Sequence, residues 1–108
     1  MANLRRAQYL TSFRRDVAEV LTRSTEEFGS DAADRYGALI AQALRDILDV
    51  PERPGATTRP TLALNVRFYH LTFSQDNVRG DRVKSPRHFI LYRFSDQSVQ
   101  FALSLIHI

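Results

Sequence analysis

The sequence predicts an α+β fold, an N-terminal helical hairpin packed on a three- to four-stranded antiparallel sheet. Three observations predict it. Apolar residues recur every three to four positions through residues 12–50, with a break at Gly29. Three of the four prolines then fall within residues 51–61. Beyond them the chain changes to short runs rich in β-branched and aromatic residues. Neither kind of element buries its apolar side alone, so the hairpin must lie on one face of the sheet.

The elements follow in order. Ala7 to Leu10 is a brief strand. Thr11 or Ser12 then offers a side-chain oxygen to the free amides of a starting helix. Phe13, Val17, Val20, Leu21, Ser24 and Phe28 form one stripe, and Arg15–Glu19 and Arg23–Glu27 pair four apart on the other side. Gly29 ends the helix, because glycine tolerates the left-handed conformation of a C-terminal cap. Ser30 opens the second helix, in which Ala33, Tyr36, Ile40, Ala43, Leu44, Ile47 and Leu48 share a face until Pro51 forces a stop. A connection this short folds the two helices back on each other.

Residues 51–61 read as a loop. Val66 to Phe73, His88 to Phe94 and Val99 to Ile108 read as strands, the last two joined by the tight polar turn Ser95 to Ser98. Between the first two lies a long polar excursion, Ser74 to Arg87. The chain is thus one domain, with its hairpin at about residues 12–50 and its sheet at about 64–108.

Composition narrows the function classes. At 108 residues, 44% hydrophobic and 25% charged, the chain has the ordinary globular mix. It has no cysteine, which removes a disulfide framework, a thiolate metal site and a cysteine nucleophile, and fits a cytoplasmic location. No apolar run is long enough for a membrane span and no leader pattern opens the chain. Of fifteen basic residues only Lys84 is lysine. The net charge of +3 divides into −2 over residues 1–52 and +5 over residues 53–108, so a polyanion-facing surface belongs to the second half. A modest positive balance also serves solubility alone.

The usual enzyme patterns are absent. His70, His88 and His107 fall on strands with no carboxylates beside them, which argues against a metal centre. No serine sits on a glycine-flanked turn, and no glycine-rich phosphate loop occurs. What remains is arginine on strands: Arg67 and Arg93, beside Tyr69 and Tyr92. Such arginines serve either by pairing at a sheet edge or by contacting phosphate or carboxylate on an open sheet face.

The order of Tyr9-Leu10-Thr11, Arg15 to Val20, Phe28-Gly29, Ala32 to Tyr36, Pro51 to Gly55, Val66 to His70, His88 to Arg93 and Leu105-Ile106-His107 resembles the RelE/ParE toxin superfamily. Within it, the ParE-like (plasmid stabilisation protein) branch is the nearest pattern. The resemblance implies the toxin of a bacterial type II toxin–antitoxin system, without cofactor or metal, neutralised by a cognate ParD-like antitoxin. It implies an antitoxin surface on the hairpin at Phe13, Val17, Leu21, Tyr36, Ile40 and Leu44. It implies a target surface at Arg67, Tyr69, His88, Tyr92, Arg93 and His107, with DNA gyrase as the target and binding rather than catalysis as the action. The alternative that it implies is a RelE-like, metal-independent endoribonuclease acting on ribosome-bound mRNA, with Arg67, Arg93 and His107 as the catalytic set. A third is an inactive member that still binds its antitoxin. Ser104 stands where relatives commonly have arginine, which removes one phosphate-facing cation from the nuclease reading; the sequence stops at Ile108 where relatives usually continue, which implies a truncated, attenuated or degenerate version. The Ser74–Arg87 excursion is longer than the plain hairpin of many relatives, and is either a specificity element or a loop without a role.

Overall fold

The computed structural model describes residues 5–9, 11–58, 66–80 and 82–107, the last six of these by backbone alone. The expectations at Leu10, Pro60, Asp81 and Ile108, and for the side chains of Ser104 and His107, lie outside the described residues. Strand β1 (Arg6–Tyr9) leads into helix α1 (Thr11–Phe28), and α2 (Ser30–Asp49) follows after one residue. That residue, Gly29, adopts φ 92°. Its amide donates to the Thr25 carbonyl at 2.9 Å and its carbonyl accepts from the Ala33 amide at 3.2 Å, so it closes one helix and opens the next.

Strands β2 (Ala56–Thr58), β3 (Arg67–His70), β4 (His88–Phe94) and β5 (Ser98–His107) complete one five-stranded sheet in the order β1-β5-β4-β3-β2. The α+β architecture and the antiparallel pairing of the last three strands are as expected. Two edges extend the expectation. The brief first strand pairs in parallel with β5, Arg6 opposite Ser98, which makes the sheet mixed. The proline-rich loop also yields β2, launched from Gly55 at φ 97° and a turn in which the Ala56 amide donates to the Arg53 carbonyl at 3.0 Å.

The expected strand from Val66 to Phe73 is cut short. After His70 the chain turns into a 3-10 helix, Leu71–Asn77. The His70 imidazole Nδ1 accepts the Thr72 amide at 3.0 Å, a side-chain cap that ends strand pairing at that point.

Between the hairpin and the sheet lies the main core: Phe13, Leu39, Ile40, Ala43 and Ile47 from the helices meet Tyr69, Leu71, Ile90, Tyr92, Val99 and Phe101. Tyr9, Phe13 and Phe101 stack with centroids 5.3–5.7 Å apart, joining β1, α1 and β5 in one aromatic column. Of the α1 residues described, Phe13 alone is buried, and Phe28 at the helix end is 72% exposed. The other apolar residues of the stripe, Val17, Val20 and Leu21, are half-buried and pack against the core with part of their surface still open. Among the described residues, no helix is long and apolar enough to cross a membrane.

Candidate functional site

Strand parity decides what each sheet face carries. Tyr92 belongs to the core beneath the helices, and Arg67 is its direct partner across β3 and β4. Arg67 therefore lies on the helical side, where its guanidinium sits 5.4 Å from the centroid of the Phe94 ring. Arg93, one residue beyond Tyr92, pairs with Gln100 and faces the other way, exposed. The two arginines expected to act together stand on opposite faces.

The tyrosines also correct the expectation of a basic, aromatic open face. Tyr69 and Tyr92 are fully buried on the helical side. The Tyr92 hydroxyl donates to the Pro51 carbonyl at 2.5 Å, and burial pushes its pKa up to about 12. The Tyr69 hydroxyl is 2.8 Å from Ser74 Oγ, and burial raises its pKa too. Both phenols are closed off from solvent and tie neighbouring segments together. The opposite face carries an apolar cluster of its own, Val66, Phe68 and Leu91 with Phe89 against them. The His70 ring meets Phe89 edge-on at 4.8 Å.

His88 is half-buried at the start of β4, with its Nδ1 2.5 Å from the Tyr36 hydroxyl. The backbone places His107 directly opposite it on β5. Tyr36 thus turns toward the sheet end rather than toward the hairpin surface. Among the described residues no three metal-ligating side chains gather.

An apolar groove of about 300 Å³ opens between β1, α1 and α2, lined by Tyr9, Phe13, Arg14, Val17, Ile40 and Leu44. Four of the six residues expected on the partner surface are brought together there: Phe13, Val17, Ile40 and Leu44. Leu21 lies elsewhere, packed over Gly37 on α2. Sequence reasoning missed Tyr9 and Arg14. The Arg14 guanidinium lies 5.5 Å from the Tyr9 ring centroid and gives the groove a cationic rim.

It also missed Asp46, a buried carboxylate on α2. One oxygen accepts Ser74 Oγ at 2.6 Å and Asn77 Nδ2 at 2.9 Å, the other accepts Gln42 Nε2 at 2.9 Å. Arg53 donates to the Asp46 carbonyl at 2.9 Å and stacks over Tyr69 with 5.8 Å to the ring centroid. Burial alone would raise the Asp46 pKa; the bonds from Ser74, Asn77 and Gln42, with the Arg53 charge behind them, outweigh it and hold the carboxyl below its ordinary value. A signal was present in the sequence: an acid three residues after Ala43, on the stripe that faces the core.

No protein-family profile matches the chain, and no curated protein matches it. Among solved structures, it is similar to a chain of the chromosomal ParDE toxin–antitoxin system from P. aeruginosa. The TM-score is 0.67 at 11% identity, over 97% of this chain and 97% of that one. The fold is therefore ParE-like over the matched part of the chain, as the sequence resemblance implies.

Proposed function

We propose that this chain is the toxin of a type II toxin–antitoxin system, that it acts by binding DNA gyrase in the cytoplasm of a bacterial cell, and that a ParD-like antitoxin neutralises it. The observation that carries the proposal is the near-complete overlap with a ParDE chain, joined to an open apolar groove on the helical hairpin. The groove supplies what an antitoxin helix needs, an apolar trough with Phe13, Val17, Ile40 and Leu44 along it and the Arg14 charge at its edge. Binding is preferred to ribonuclease chemistry on geometry. Metal-free cleavage of RNA needs its cations gathered around one phosphate, and Arg67 and Arg93 are separated by the thickness of the sheet.

The test is a supercoiling assay with purified gyrase and excess protein. Inhibition supports the reading, and full supercoiling activity overturns it. A parallel induction experiment separates the alternatives: codon-linked cuts in translated mRNA would favour the nuclease, and unimpaired growth with antitoxin binding intact would favour an inactive relative. Co-purification with a ParD-type antitoxin is expected to be lost in Val17→Asp and in Leu44→Asp.

A further inference from the structure

Residues 78–87 hold four cations against one carboxylate, a surplus equal to the +3 of the whole chain. This stretch is fastened at several points. Val78 and Val83 pack against the main core and Pro86 is buried. Gln75, itself buried, donates from Nε2 to the carbonyl of Val83 and, at 3.0 Å, to that of Lys84. Arg82 is engaged from both ends of its fork, with Asp76 at 2.9 Å and Gln75 Oε1 at 3.0 Å. The preceding 3-10 helix is tied to α2 through Ser74, Asn77 and Asp46. Among the described residues of the stretch, 78, 83 and 86 are turned inward, and Arg79, Lys84 and Arg87 are left exposed beside these fastened neighbours. A polyanion meeting them loses little further ordering entropy.

The chemistry of the stretch selects among polyanions. It contains no aromatic residue, so it offers no platform on which unpaired bases could stack. Its apolar side chains face the core, so an acidic protein segment would find charge without the buried anchor that gives such complexes their affinity. Charge alone suits a regular row of phosphates. We infer that Arg79, Lys84 and Arg87 form a docking surface for the sugar–phosphate backbone of double-stranded DNA. This is a property of the isolated chain and goes beyond its proposed action on gyrase.

The experiment is fluorescence anisotropy of a labelled DNA duplex of mixed sequence, titrated with the full chain across a salt series from about 50 to 200 mM. Binding is expected to weaken with salt and to be independent of duplex sequence. The triple variant R79A/K84A/R87A is expected to bind about tenfold or more weakly at the lowest salt, with a log–log salt slope shallower by about 0.9 for each phosphate no longer neutralised. A control triple, R6A/R15A/R23A, removes the same net charge from exposed positions elsewhere and is expected to bind within about twofold of the parent, since the docking surface is local. Circular dichroism melting of both triples confirms that they fold. Absence of salt-dependent duplex binding, equal loss in the two triples, tighter binding of a single strand, or displacement of the duplex by a polyglutamate peptide of equal charge would each overturn the proposal. Gyrase is absent from this assay, so its outcome is separate from that of the supercoiling test.

Discussion

Ser74 Oγ donates to Asp46 Oδ2 at 2.6 Å, a bond that joins α2 to the 3-10 helix across 28 residues of sequence. Asn77 donates to the same oxygen, and Ser74 passes the network on to Tyr69. Asp46→Asn keeps the shape but replaces charge-assisted acceptors with neutral ones and sets an amide N–H against two donors. It is expected to cost about 2–3 kcal/mol, measured by urea denaturation. Hydrogen exchange is expected to quicken in residues 71–78 ahead of the rest of the sheet.

Stability should decline in two stages as the pH falls. Burial holds the His70 imidazole below its ordinary 6.5, so the folded state favours the neutral ring that accepts the Thr72 amide. Its contribution is whole above pH 6.5 and is lost as pH falls through the depressed folded value, because the unfolded chain binds the proton first. The Asp46 carboxyl, held below its ordinary 3.8, contributes fully above that pH and is lost as pH falls through its own lower folded value. Urea midpoints between pH 7.5 and 3 should show both declines. His70→Asn retains a capping acceptor without titrating, and is expected to flatten the first decline and leave the second.

Two glycines should respond to alanine in opposite directions. A Cβ on Gly55 would lie 2.6 Å from the Phe73 ring, at a residue with φ 97°. Gly55→Ala is expected to cost about 2–3 kcal/mol, part of it recovered in the double variant with Phe73→Ala, which removes the clash but not the backbone strain. Gly37 is mid-helix, and its added Cβ would rest 3.7 Å from Leu21, an ordinary van der Waals distance. Gly37→Ala is expected to stabilise by about 0.5–1 kcal/mol through helix propensity.

The Tyr36–His88 pair sets a tautomer. The Arg87 amide donates to the Tyr36 hydroxyl oxygen at 3.2 Å, which leaves the hydroxyl proton for His88 Nδ1. The neutral His88 ring is expected to carry its proton on Nε2, read by long-range 15N–1H NMR. Tyr36→Phe removes this bond and is expected to cost about 1 kcal/mol, read by urea denaturation.

Which parts of this were legible in the sequence follows from the range of the forces involved. Both helix limits are local: Gly29 and Pro51 act on their own backbone, and the hairpin emerges where they put it. Strand β4 is likewise found at its expected residues. The run from Val66 to Phe73 failed at His70 because its composition says strand while the His70 cap and the pull of Asp46 on Ser74 and Asn77 say turn. Asp46 is 28 residues away from Ser74, beyond any local pattern. The face of β4 was illegible for another reason. In His88 to Phe94 both alternating sets are apolar, Ile90 and Tyr92 on one side and Phe89 and Leu91 on the other, so parity could not say which set met the helices. The register that put Arg67 opposite Tyr92 then sent Arg93 to the far face.

The parallel pairing of β1 with β5 governs the order in which this chain can be completed. In the sheet β5 stands between β1 and β4, so the first strand has no neighbour until the final one arrives, some ninety residues later in synthesis. A ribosome releases the hairpin first, and its aromatic column waits for Phe101 to close it. Until then Tyr9, Phe13 and the groove beside them are uncovered on the nascent chain. A binding partner already present would meet the apolar trough before the sheet was finished.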